Sequence, residues 1–103
     1  MADADAVFAA LADPTRRGIY RELASGRADT ASALARTFPI TRQAVSKHLA
    51  ALAEAGLVES QRSGRETRYR PTPAPLEDVT AWMAEVGALW DARLVALQRL
   101  VSS

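Results

Sequence analysis

The chain has no cysteine, one histidine and one lysine in 103 residues. Without cysteine there is no disulfide, no thiolate metal site and no thiol nucleophile, so stability must come from packing or from a second copy of the chain. One histidine, with no thiolate to join it, makes a poor transition-metal site, and no metal or other cofactor is expected. Neither a G-x-x-x-x-G-K phosphate loop nor a G-x-S-x-G elbow occurs, and no nucleophile and base pair can be assembled, so an enzyme is not expected. No apolar run approaches the roughly 20 residues that cross a bilayer, which excludes a membrane-spanning role. Asp3 and Asp5 stand where an export signal would carry lysine or arginine, and a cytoplasmic protein is expected.

What is present is an apolar share of 49% in a chain long enough for one compact domain, residues 1–103. Charge is distributed unevenly. From Pro14 to Arg70 eleven basic residues face five acidic ones, whereas the remaining positions hold two basic and seven acidic residues. A basic middle between acidic ends suits a polyanion, although a solvated face would carry the same charge.

Apolar spacing divides the chain into helices and one hairpin. Val7, Phe8 and Leu11 mark a first helix over Asp3–Ala12. Asp13-Pro14 opens a second, since Asp accepts from free amides and proline fits the first turn; Ser25-Gly26 closes it. Thr30 opens a third through Thr37, and Phe38-Pro39-Ile40 forces a tight corner, because the residue before a proline is driven out of helical conformation. Thr41 restarts a helix that turns Ala44, Val45, His48, Leu49 and Leu52 inward and leaves Arg42, Gln43, Ser46 and Lys47 outside; Gly56 ends it. Leu57–Arg62 and Thr67–Pro71 predict two strands around a glycine turn. Pro71, Pro73 and Pro75 predict a stiff extended connector to a last helix over Leu76–Val101, about 39 Å long at 1.5 Å per residue.

Two helices across a short corner, the second polar outside and followed by a basic hairpin, form the pattern of a winged helix-turn-helix. The predicted class is mainly α with a small β-hairpin wing: helix-turn-helix over about 30–55, wing over about 57–71, and N- and C-terminal helices for dimerisation. A helix enters the major groove only if its exposed side chains can bond base edges, and Arg42, Gln43, Ser46 and Lys47 can. Thr41 adds a hydroxyl beside free amides, suited to phosphate. Arg62, Arg65, Arg68 and Arg70 flank the glycine turn, where a guanidinium can bridge phosphate oxygens or enter a narrow minor groove. His48, facing inward or toward the DNA backbone, is assigned to packing or to a phosphate rather than to a metal.

Leu11-Ala12-Asp13-Pro14-Thr15-Arg16-Arg17, Ser46-Lys47-His48-Leu49 with Leu52, Gly56-Leu57-Val58, and Arg62-Ser63-Gly64-Arg65 with Tyr69 together resemble the arsenical-resistance repressor (ArsR) family of winged-helix regulators. The resemblance spans nearly the whole chain. It implies a homodimeric repressor of double-stranded DNA at an imperfect palindrome in a promoter, with Thr41, Arg42, Gln43, Ser46 and Lys47 reading DNA and Arg62, Arg65 and Arg68 acting in the wing. Founding members sense metals through cysteines or through histidine and carboxylate ligands that this chain lacks, so a metal-free subgroup is implied. The small-molecule effector, if one exists, is left open.

The last helix carries Val79, Trp82, Met83, Val86, Leu89, Trp90, Leu94, Leu97, Leu100 and Val101 in steps of three and four. That seam is wider than a small domain can cover. With Val7, Phe8 and Leu11 it is expected to form a two-fold interface built from Val79, Trp82, Met83, Val86, Trp90, Leu94 and Leu97. The alternative is a protein-interaction module that uses the same seam to bind another protein and no DNA. Gly87 in mid-helix costs about 1 kcal/mol against alanine and suggests close backbone approach or a ligand pocket there.

Overall fold

In a computed structural model, residues 4–102 are described, and they run α1 (Ala4–Leu11), α2 (Pro14–Ser25), α3 (Ala31–Thr37), α4 (Arg42–Glu54), β1 (Val58–Ser63), β2 (Glu66–Pro71) and α5 (Ala74–Ser102). Each helix of the middle segment starts on a capping side chain. The Asp13 carboxylate accepts from the Arg16 amide at 3.0 Å, Thr30 Oγ1 from Ala33 at 3.1 Å and Thr41 Oγ1 from Ala44 at 3.1 Å. These acceptors satisfy amides that the first turn leaves without partners. Between α3 and α4 the chain extends at Phe38 (φ −107°, ψ 143°), and the Ile40 amide donates to the Phe38 carbonyl, closing the corner.

The corner is seated by a close approach that the sequence did not disclose. A Cβ placed on Gly18 of α2 would lie 2.9 Å from the Phe38 ring, so the glycine lets that ring lie directly on α2 and a larger residue would oblige the ring to shift. Below it, Val7, Ile19, Leu34, Val45, Leu49, Leu52 and Leu57 are completely buried and join α1 through β1 in one core. Three of the seven come from α4, which fixes which face of that helix is left for solvent.

The hairpin pairs antiparallel from Val58 opposite Pro71 to Ser63 opposite Glu66, with Gly64-Arg65 as a two-residue turn. Gly64 takes φ 64° at the first central position, where the twist of a tight hairpin requires a positive value. The hairpin is not free: the Tyr69 amide donates to the Asp29 carbonyl at 2.8 Å, tying β2 to the loop before α3.

Several expected boundaries and orientations are corrected. The first helix is Ala4–Leu11, with Asp3 outside the described residues and Ala12 past its end. The connector is shorter than expected: Pro71 closes β2, and Pro75 lies buried in the first turn of α5, where a missing N–H costs nothing. Val7 and Val79 lie inside the protomer's own core, 0% and 6% exposed, so neither can face a second copy. Leu11 is half-buried against the same core. A Cβ on Gly87 meets nothing within 4 Å, so no backbone approaches closely there in the protomer.

Helix α5 spans 29 residues, about 43 Å, and sets the long dimension of a protomer measuring 68 × 30 × 21 Å. Only its start is covered. Phe8 of α1 meets Trp82 edge-on at 5.6 Å, and from Trp82 onward Met83, Leu89, Trp90, Leu94, Leu97, Leu100 and Val101 are exposed. Val95 is exposed as well, off that stripe. Among the described residues no helix is long and apolar enough to cross a membrane.

Candidate nucleic-acid interface

The burial of Val45, Leu49 and Leu52 turns the opposite side of α4 to solvent. Thr41, Arg42, Gln43, Ser46 and Lys47 are all exposed there, within the first two turns. Arg42 and Ser46, and likewise Gln43 and Lys47, are four residues apart, so the four side chains share one patch. Farther along, the exposed positions are Ala50, Ala53 and Glu54, which offer a base edge either no polar group or a negative one. The polar patch is therefore confined to the N-terminal half of α4, the end that reads bases in helix-turn-helix geometry.

His48 lies apart from this patch. It is half-buried, and Arg16 Nε donates to its Nδ1 at 3.3 Å, while Arg16 Nη1 donates to the Ala10 carbonyl. Arg16 thus ties the end of α1 and the start of α2 to α4. The backbone hydrogen bond from Arg16 also holds the Asp13 carboxyl below its ordinary value, which keeps the cap ionised beside His48.

In the hairpin the four arginines differ. Arg62 Nε donates to the Gly64 carbonyl, Arg70 pairs with Glu59 at 3.6 Å, and Arg68 pairs with Asp29 at 2.9 Å and Glu66 at 3.5 Å. Those carboxylates raise the Arg68 pKa, chiefly through the Asp29 hydrogen bond. Arg65, exposed at the turn, has no hydrogen-bond or ion-pair partner among the described residues. Spacing placed Arg62, Arg65 and Arg68 together; their partners separate Arg65 from the other two.

Two residues that organise this surface were missed from sequence: Asp29, which holds the hairpin through both its carbonyl and its carboxylate, and Arg16, which holds His48. Asp29 and Arg68 are 39 positions apart and Arg16 and His48 are 32, so no local pattern could join them. Among the described residues no group of three or more His, Cys, Asp or Glu side chains is placed to hold a metal ion.

A capped helix pair about a tight corner, an outward polar patch at the start of its second helix, and a basic hairpin tethered beside it define a winged helix-turn-helix domain. Residues 11–61 match the family model described as a helix-turn-helix domain. Transcriptional repressor SdpR of Bacillus subtilis is 36% identical over 77 residues, covering 75% of this chain and 84% of that protein. An ArsR-like transcriptional regulator from Rhodococcus sp. RHA1 superposes with a TM-score of 0.73 at 49% identity, covering 94% of this chain and 91% of that one. The homodimeric winged helix-turn-helix DNA-binding domain of Mb0332 from Mycobacterium bovis, a possible ArsR-family regulator, superposes with a TM-score of 0.60 at 32% identity, covering 84% and 77%. The chain belongs to the ArsR family of transcriptional regulators, and it is a regulator rather than an enzyme.

Proposed function

We propose that the chain is a homodimeric repressor that binds an imperfect palindrome in promoter DNA in the cytoplasm and blocks polymerase by occupying the site. The observation that carries this reading is the exposed patch of Arg42, Gln43, Ser46 and Lys47 at the start of α4, with Thr41 at its cap. Arginine and lysine bond guanine O6 and N7, and glutamine bonds adenine N6 and N7, so the patch holds donors and acceptors matched to the major groove. Arg65 at the wing turn supplies a guanidinium for the phosphate backbone. The exposed stripe of α5, joined by Phe8, supplies the two-fold contact, now without Val7 and Val79. A C2 pair would set two α4 helices about 34 Å apart, one turn of duplex. Repression is the action of SdpR, and homodimeric assembly that of the Mb0332 domain, which supports carrying both to this chain.

Selection of bound fragments from host genomic DNA tests the reading and yields the operator. On the selected site, Gln43→Ala is expected to lose roughly 1–3 kcal/mol of binding while affinity for random duplex is unchanged. Equal loss on both duplexes would remove base reading from Gln43. No retention of genomic DNA at low ionic strength would refute the function and favour a protein partner on α5.

A further inference from the structure

The outer face of the hairpin carries more acid than its arginines suggest. Glu66, Arg68 and Arg70 alternate along β2 with half-buried Thr67, Tyr69 and Pro71, so the three share one exposed side, and Glu59 on β1 stands opposite Arg70. Arg70 is matched by Glu59, one charge against one. Arg68 is over-matched: Asp29 Oδ2 lies 2.9 Å from its Nη1 and Glu66 Oε2 lies 3.5 Å from its Nη2, so the cluster sets two negative charges against one positive.

The Asp29–Arg68 pair is not what keeps the hairpin in place. The Asp29 carbonyl already accepts from the Tyr69 amide at 2.8 Å, a tether that needs no carboxylate. The two side chains are 53% and 49% exposed, and an ion pair so well hydrated contributes little to the stability of a fold. Its consequence lies at the surface, where it occupies a guanidinium. Arg68 is three residues past Arg65 at the wing turn, about 10 Å along the strand at about 3.3 Å per residue. Held by carboxylate oxygens, it engages the same fork of donors that it would offer to a phosphate, and a phosphate arriving there would also meet two acids.

We propose that Asp29 is a built-in competitor of the DNA phosphate: its carboxylate holds Arg68 in the place a phosphate oxygen would take, so the wing engages the duplex backbone through Arg65 and not through Arg68. The effect of this autoinhibitory contact, which rests on the DNA-binding function proposed above, is to remove one phosphate contact from the sequence-independent part of binding. Base reading by the α4 patch is untouched, because phosphate contacts carry no sequence information.

The test is Asp29→Asn in the full chain, which removes the charge and keeps the backbone carbonyl that tethers Tyr69. Fluorescence anisotropy on a random-sequence duplex, from about 50 to about 200 mM potassium chloride, reads the outcome. With Arg68 released, the slope of log affinity against log salt is expected to steepen by about 0.9, and affinity at about 0.1 M salt to rise about eightfold. In an Arg68→Ala background the same replacement should leave the slope as it was, since no guanidinium is there to release; this separates a freed contact from the mere loss of a negative charge. Thermal melts establish that the variants are folded. The proposal is overturned if Asp29→Asn leaves the slope unchanged, if it weakens binding, or if it steepens the slope equally in the Arg68→Ala background. Each of those results requires a wild type that binds the duplex, so each leaves the DNA-binding function standing. A wild type that binds no duplex at low salt refutes that function, and this proposal with it.

Discussion

The partner census of the hairpin arginines leads to a prediction that residue type alone would not make: Arg65→Ala and Arg68→Ala should differ in the salt dependence of DNA binding. Arg65 is exposed at the turn with its guanidinium uncommitted, whereas Arg68 already holds Asp29 at 2.9 Å and Glu66 at 3.5 Å. Each phosphate neutralised on B-DNA releases about 0.9 of a counterion, so losing one contact should flatten the slope of log affinity against log salt by about 0.9. At 0.1 M salt that same 0.9 logarithmic unit is about an eightfold weakening, on specific and random duplex alike. Because Arg68 is already paired with two carboxylates, Arg68→Ala should leave the slope unchanged, any loss of affinity coming from a looser wing. Fluorescence anisotropy of a labelled duplex, from about 50 to about 200 mM potassium chloride, reads both quantities. An unchanged slope for Arg65→Ala, or equal flattening in both variants, would refute the assignment.

Trp90 is 58% exposed in the protomer, so Trp90→Glu should leave the fold intact and convert a dimer to a monomer in sedimentation; a folded variant that remains dimeric would move the interface elsewhere. The Asp13 carboxyl, held below its ordinary 3.8 by the Arg16 amide, adds stability that is present above that value and is lost as pH falls through the lower folded one. Asp13→Asn keeps an acceptor at the cap, so its melting temperature should fall less than that of the wild type between pH 7 and about pH 3. Parallel losses in the two proteins would show that Asp13 carries no acid-linked stability.

Features legible from sequence are those whose causes lie within a few residues. Asp13, Thr30 and Thr41 start helices because a side-chain oxygen reaches an amide three positions on. Phe38-Pro39 makes a corner through the steric bar before proline, and Gly64 turns a hairpin because it tolerates a positive φ. From those elements the inward side of α4 follows by periodicity, and with it the outward set from Thr41 to Lys47. Proline was misread where its effect depends on context: Pro75 stiffens a loop or opens a helix equally well, and burial of its ring in the first turn of α5 selects the helix.

The order of elements, their caps and the polar patch on α4 were thus determined by the sequence itself, because propensity, capping and periodicity act over one or two helical turns. Which arginine of the hairpin remains uncommitted, which apolar residues of α1 and α5 the protomer keeps for itself, and that Gly18 exists to receive Phe38 were decided only by tertiary structure. Those outcomes depend on contacts between segments 20 to 39 positions apart in the Gly18–Phe38 and Asp29–Arg68 pairs. Such pairs are held in contact by the core around Leu34, Leu49 and Leu52, which sets the helices in place.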